Sequence, residues 1–504
     1  MMRKLAYVCF VVCISGLIGC SASRQTFDPQ HKYSKKQLQQ DYTVFRKVLE
    51  ESHPSLYWFT PKDSMDYFFD YGFRQLNDSM TEVQFRNILS YVVSKIHCGH
   101  TAVKYSKQYG KYLDTAKIKM FPLSFKVWGD SMVITANINR KDSILKFGTM
   151  VTAIDGYSTR QLTDSFMNYI SGDGNSISGK YQSLSNSGAF GSLYRNVIGM
   201  KDQVAITYLD STGAEQTVSV PVFDPSVKDT TKKAAGSNKP GAKPPKEGGH
   251  NHLQYASRYV QIDTTLSSAY MTLHTFARGN KLRSFYRQVF RELDRRKIQH
   301  LVVDVRTNGG GDAGLSTLLT RYLADKKFKL ADSLYAVRRS SKYHKYISWQ
   351  PFYWSLTQFV THKEKDGKFH FGYFERHYFH PKKKHHYNGN IYLVTGGNSF
   401  SATTLFVKSL QGQRNVKVIG EETGGGAYGN TAWMIPDVTL PNTRVRFRLP
   451  KFRLVMDKNL VKDGRGIIPD ILVSPTRETI RRGIDPKAAV IRGMILHKIG
   501  VAQQ

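Results

Sequence analysis

Cysteine and acidic residues are both scarce in this 504-residue chain, and long apolar runs are missing. The cysteines are Cys9, Cys13, Cys20 and Cys98. The first three fall within the N-terminal twenty residues, so Cys98 alone would remain in a processed chain and an intrachain disulfide framework is excluded. Aspartate and glutamate total 39 against 73 lysines and arginines, a formal net charge of +34. Such a balance suggests nucleic acid as a partner. Yet the basic residues are dispersed, and no recognition helix, Cys/His finger or aromatic RNA-binding signature accompanies them. No nucleic-acid partner is expected; a solvated basic surface, weakly attractive to acidic polymers, is the reading. Against these absences stand 40% hydrophobic and 12% aromatic residues. That composition describes a globular protein with chain enough for roughly two to four domains.

The apolar run from Leu5 to Ile18 is too short for a comfortable membrane span. With Arg3-Lys4 before it and Leu17-Ile18-Gly19-Cys20 at its end, it predicts an export signal over residues 1–20; an uncleaved anchor is the alternative. Leu-Ile-Gly-Cys resembles a bacterial lipobox. That implies cleavage at Cys20, lipidation of its thiol, and a tether to the cell envelope, on the periplasmic side of the outer membrane. Each buried acyl CH₂ would add about 0.8 kcal/mol of anchoring.

Helical spacing of Leu38, Tyr42, Phe45 and Val48, then Phe85, Leu89 and Val92, predicts an N-terminal helical domain over 21–110. A mixed region with strands, such as Met132-Val133-Ile134 and Val204-Ala205-Ile206, occupies 115–224. Residues 225–255 are rich in Pro, Gly and Lys, cannot offset the entropy of ordering, and predict a flexible linker. From 256 to 504 strands alternate with helices, the pattern of a layered α/β fold. The strand Leu301-Val302-Val303-Asp304-Val305 breaks at Asn308-Gly309-Gly310-Gly311, and a helix follows from about Leu315. The stretch 338–388, aromatic and basic, reads as an insertion; groove lining and ordinary surface excursion are both open.

Chemistry concentrates where the strand Ile391 to Thr395 runs into Gly396-Gly397-Asn398-Ser399. There Ser401 stands before a helix whose apolar face is Leu405, Phe406 and Leu410. A hydroxyl at a helix N-terminus sits beside unpaired N–H groups and the positive end of the dipole, where a tetrahedral oxyanion would be held. Simple helix capping is the alternative. Lys408, about 10 Å farther along the helix axis, is too distant to take the Ser401 proton.

The segment Asp304-Val305-Arg306-Thr307-Asn308-Gly309-Gly310-Gly311 resembles the D-x-R-x-N-x-G-G signature of the S41 serine peptidases, the C-terminal processing and tricorn-core family. Asn398 to Thr403 falls where that family has its nucleophile. Gly420-Glu421-Glu422-Thr423-Gly424-Gly425-Gly426 is similar to its G-E-x-T-x-G segment, and Gly466-Ile467-Ile468-Pro469-Asp470 to its G-V-x-P-D close. Residues 147–156 resemble the core of its PDZ-like domain, with Thr149 where an acid is usual. The resemblance implies an α/β fold with a crotonase-like β/α core in 256–504, an N-terminal helical domain and a PDZ-like domain over 115–224.

In the processing-protease branch the base is a lysine, and the matching position here is Gly426. The branch resembling the tricorn core and interphotoreceptor retinoid-binding protein implies a Ser-His-acid site instead. Its residues map onto Ser401 as nucleophile, His100 of Gly99-His100-Thr101 as general base, and Asp463, where the family usually has Glu, as the acid. Glu421 and Glu422 are alternative acids. Backbone N–H groups of Gly310 and Ala402, with Gly309 as substitute, would form the oxyanion hole. His97-Cys98-x-His100 could hold metal only with further ligands that no spacing singles out, so neither metal nor cofactor is expected. The implied function is an envelope-anchored serine endopeptidase that cleaves polypeptides through an acyl-enzyme. The competing reading is a non-catalytic peptide- or lipid-binding protein on the same fold.

Overall fold

The computed structural model describes residues 27–227 and 257–502. The signal segment with Cys20, and residues 228–255 of the linker, lie outside the described residues. No helix among the described residues is long and apolar enough to cross a membrane.

The N-terminal apolar spacing is realised as helices Lys35–Ser52, Lys62–Arg74 and Glu82–Ser94. Ser34 and Thr81 start the first and third through capping boxes that close on Gln37 and Gln84. The helices do not bury their apolar faces on one another alone. Val438, Leu440, Phe447 and Leu449, from far downstream, complete the same core, and Phe45 meets Phe447 edge-on at 5.2 Å. The short strand Val103–Lys104 pairs with Arg446–Arg448. Residues 97–104 are thereby fastened to the C-terminal half.

A second unit is an antiparallel sheet running Leu123–Trp128, Ser131–Asn137, Met150–Ile154, Gln203–Leu209 and Glu215–Pro221. Its first strand alternates buried and half-buried residues, the period-2 signature of a sheet with one covered face. Helices Thr159–Met167, Ile177–Ser185 and Ala189–Val197 provide the cover. Phe125, Ile134, Phe166, Phe190 and Tyr194 meet in the core between them.

The third unit is a six-stranded sheet in the order 258–263, 268–273, 300–304, 390–395, 416–420, 471–472. The first pair is antiparallel and the rest are parallel. Parallel strands covered on both sides read as continuous apolar runs, and the side chains divide accordingly. Val303, Leu393 and Val418 face helices Leu282–Arg295, Ala313–Leu323 and Ala402–Leu410. Val302, Tyr392 and Ile419 face Ile491 and Ile495 of the C-terminal helix Pro486–Ala502. The loops leaving Asp304, Thr395 and Gly420 therefore emerge together at the carboxyl ends of neighbouring strands, where open α/β sheets bind their ligands.

Candidate active site

Ser401 has φ +59° and ψ −122°, a conformation that a residue with a side chain adopts at a cost of about 1–3 kcal/mol. It makes no capping hydrogen bond to its helix, so the capping alternative does not hold. The strained turn aims Oγ away from the helix, and His100 Nε2 lies 3.0 Å from it. The neighbouring hydroxyl does the structural work: Ser399 Oγ donates to Val305 O at 2.8 Å and accepts from Gly396 N–H at 3.2 Å. That locks the turn to the end of strand His300–Asp304.

The glycines downstream pack closely on their surroundings. A Cβ on Gly425 would fall 2.2 Å from Thr404 Oγ1 and 3.3 Å from Ser401 N. Gly424 and Gly425 pack their bare backbone against the nucleophile turn, and Gly426 bridges to Gly466. Lys408 is turned to Asp457, 3.5 Å away.

His100 is 4% exposed. Its ring packs on Phe400 with centroids 4.5 Å apart. The loop that carries it is held by His53 Nε2 on Thr101 Oγ1 at 2.8 Å and by Thr101 N–H to Cys98 O at 3.1 Å. Burial, reinforced by the Arg448 charge, pushes the imidazole down to about 3, so it rests neutral and free to accept a proton. Asp304 and Arg306 hold the corner of the next loop: Arg306 reaches Asp304 at 2.9 Å and Asp485 at 2.7 Å.

The profile of peptidase family S41 matches residues 267–473, the segment that contains the parallel sheet and Ser401. The S41 match covers less than half of the chain. The fold as a whole is similar to that of mature CPAF, at 14% identity over 89% of this chain and 94% of that one, with a TM-score of 0.61. Mature CPAF complexed with lactacystin is similar at 13% identity, covering 92% and 98%, with a TM-score of 0.64. No curated protein sequence matches the chain.

The remaining expected site residues are placed unevenly. The N–H of Ala402, at the first turn of its helix, and that of Gly309 have no acceptor among the described residues. Gly310 N–H is already donated to Asn308 Oδ1 at 2.9 Å. Gly310 still borders the nucleophile closely: a Cβ there would stand 2.7 Å from Ser401 Cβ, and its φ is +97°. Asp463 is not brought to the imidazole. It lies on an exposed turn where Oδ1 accepts Arg465 N–H at 2.8 Å, the local bond that Asp habitually forms two residues on. Glu422 binds Arg465 through both oxygens and takes Gly466 N–H at 2.7 Å, while Glu421 pairs with Lys487 and Lys126. His100 Nδ1 is left buried without a partner among the described residues.

One carboxylate near the histidine loop has no counterpart among the residues read from the sequence. Asp173 is 3% exposed; its Oδ1 accepts Gly99 N–H at 2.7 Å, and its Oδ2 has no partner among the described residues. Burial pushes its carboxyl up to about 7, although the Gly99 and Gly426 N–H groups pull it back. The same short loop takes the histidine and acid segments in one grip. Gly174 N–H donates to His97 O at 3.0 Å, and Asn175 N–H donates to Gly464 O at 2.8 Å. Gly172-Asp173-Gly174-Asn175 looks like a plain turn, and only the close approach of distant loops distinguishes it.

Proposed function

We propose that this protein is a serine endopeptidase in which Ser401 attacks the peptide carbonyl and His100 Nε2 takes its proton. The 3.0 Å contact between Ser401 Oγ and His100 Nε2, at a strained serine, carries the reading. The steps follow from the placement. As Oγ bonds to the carbonyl carbon, the oxygen takes up negative charge beside Ala402 N–H and the Gly309–Gly310 backbone. His100 returns the proton to the departing amine, leaving an acyl-enzyme; water, deprotonated by His100, releases the acid and restores Ser401. Losing one oxyanion donor costs on the order of 10²–10³ in rate.

For Nε2 to accept, Nδ1 must carry hydrogen, and that hydrogen calls for an acceptor. Asp463 is the acid we assign. It gives up one local bond at an exposed turn to reach the imidazole. Asp173 is the poorer partner, because a carboxyl raised to about 7 is half neutral at neutral pH and half of it is spent on Gly99.

The parallel sheet supports a crotonase-like core in 256–504, and the 123–221 sheet supports a PDZ-like unit within 115–224 that would receive an extended peptide by strand addition. The Leu-Ile-Gly-Cys tetrad supports a lipid anchor at Cys20 in a bacterial envelope. Treating the protein with a fluorophosphonate tests the chemistry: wild type is expected to label at Ser401 and Ser401→Ala to stay unlabelled. Absence of label on folded wild type, with no cleavage of casein, would return the reading to a non-catalytic binding protein.

A further inference from the structure

Ser401 opens on one side into a cavity of about 660 Å³, within the roughly 300–1,000 Å³ typical of ligand pockets. Its wall is assembled from distant parts of the chain. Leu318 comes from helix Ala313–Leu323 and Leu405 from the nucleophile helix; Phe374 and Phe379 come from the insertion, and Trp433 and Met434 from the loop after Gly429–Ala432. Trp433 and Met434 both hold positive φ, +63° and +43°, a strain that functional clamps retain. Trp433 is braced edge-on against Phe374 at 5.0 Å. Part of the 338–388 insertion therefore borders the nucleophile, while its helix Gln350–Val360 carries Phe352 and Phe359 at 58% and 86% exposure.

The charged lining residues are Arg278, Arg283, Arg321 and Asp312. Asp312 is committed to Arg278 and to capping helix Ala313–Leu323. Arg321 spends Nε on His380 O at 2.8 Å. Arg283 has no acceptor among the described residues, and no other carboxylate lines the space to balance these two guanidiniums.

We infer that this cavity is the specificity pocket, selecting a large apolar side chain beside the scissile bond together with a carboxylate nearby that Arg283 and Arg321 receive. The inference rests on the peptidase reading in assigning the scissile bond to Ser401. The apolar wall strips water from an aromatic or long aliphatic side chain, worth about ten- to a hundredfold over glycine. The guanidiniums supply charge-assisted bonds that an amide or lysine would not match.

Two measurements on the full chain test it. Wild-type kcat/KM is compared across peptides carrying Phe, Leu, Gly or Lys beside the cleaved bond. Each is made with Glu or Gln nearby, and with a free or amidated C-terminus. Binding of the same peptides to Ser401→Ala is followed by fluorescence anisotropy. Phe and Leu are expected to exceed Gly by tenfold or more. The carboxylate preference is expected to fall several-fold in Arg283→Gln, fall further in Arg283→Gln/Arg321→Gln, and survive in Arg321→Lys. A preference that follows Glu assigns the rim to acidic side chains, and one that follows the free terminus assigns it to chain ends. Equal rates for Phe and Gly, or a carboxylate preference (Glu over Gln, or free over amidated terminus) that is absent in wild type or unchanged in Arg283→Gln, would overturn the pocket while leaving the peptidase intact. Selective binding to Ser401→Ala with no turnover by wild type would do the reverse.

Discussion

The turns that carry Ser401 and Asp463 are read from motifs of equal brevity, and the protein treats them in opposite ways. The Ser401 turn is enclosed: Ser399 ties it to Val305, the glycines at 424–426 press on it, and the backbone is forced to φ +59°. Its side chain has one direction left, toward His100. The Asp463 turn is exposed, and its carboxylate takes the nearest donor, Arg465 N–H. A motif thus fixes the path of the backbone at both places, but only dense packing fixes the aim of a side chain. The buried turn has its geometry already prepared; the exposed one has it still to acquire, and catalytic hydrogen bonds that are loose in the free enzyme commonly tighten with substrate.

The contrast predicts unequal costs. Ser401→Ala and His100→Ala should each lower kcat by about 10⁴–10⁶, because nucleophile and base act as a unit. Near-normal casein cleavage in either variant would erase the distinction between the two turns. Asp463→Asn should cost less, about 10³–10⁴, the scale set by a wrongly oriented imidazole. It should also move the acid limb of kcat, which reports the substrate complex in which Asp463 reaches the imidazole. The buried His100 without a carboxylate sits at about 3, and an approaching negative charge raises an imidazole. Wild type should therefore lose activity at a higher pH than Asp463→Asn does. A loss under tenfold, with the limb unmoved, would show that His100 works as half of a dyad.

Much of this was legible in the sequence for the same reason that the Ser401 turn is rigid. The apolar runs at 301–305 and 391–395 read as strands and are strands, and the helix after Ser401 buries the predicted Leu405, Phe406 and Leu410. The Gly99-His100-Thr101 match singled out His100, and its contact with Ser401 joins residues 301 apart in sequence. What escaped were side-chain destinations decided by neighbours distant in sequence. Gly310 N–H is captured by Asn308 Oδ1, two residues before it, which a glycine-rich motif does not announce. Val438 and Phe447 turned out to share a core with the N-terminal helices. Asp173 sits in an unremarkable turn whose importance arises only when Gly99 and Gly464 close on the loop around it.

That third loop touches the histidine loop and the Asp463 turn, and it yields the smallest effect. Asp173 has a folded-state carboxyl at about 7 against an ordinary value of 3.8, so the folded protein binds a proton there more tightly than the unfolded chain does. Its contribution to stability is greatest below the unfolded value and is lost as pH rises from about 4 to about 7. Asp173→Asn keeps the oxygen that accepts Gly99 N–H and removes the titration. The variant should therefore match wild type near pH 4 and become the more stable protein by pH 8, by on the order of 1–3 kcal/mol. His100 and His53, both held near 3 by burial, tilt the two curves the other way, adding stability as pH rises toward 6.5. Because they are common to both proteins, they cancel in the difference. Urea unfolding of the pair at pH 4, 6 and 8 reads that difference directly. A gap that stays constant with pH would mean that burial does not raise the Asp173 carboxyl in the fold, and would remove the reason for passing over Asp173 in favour of Asp463.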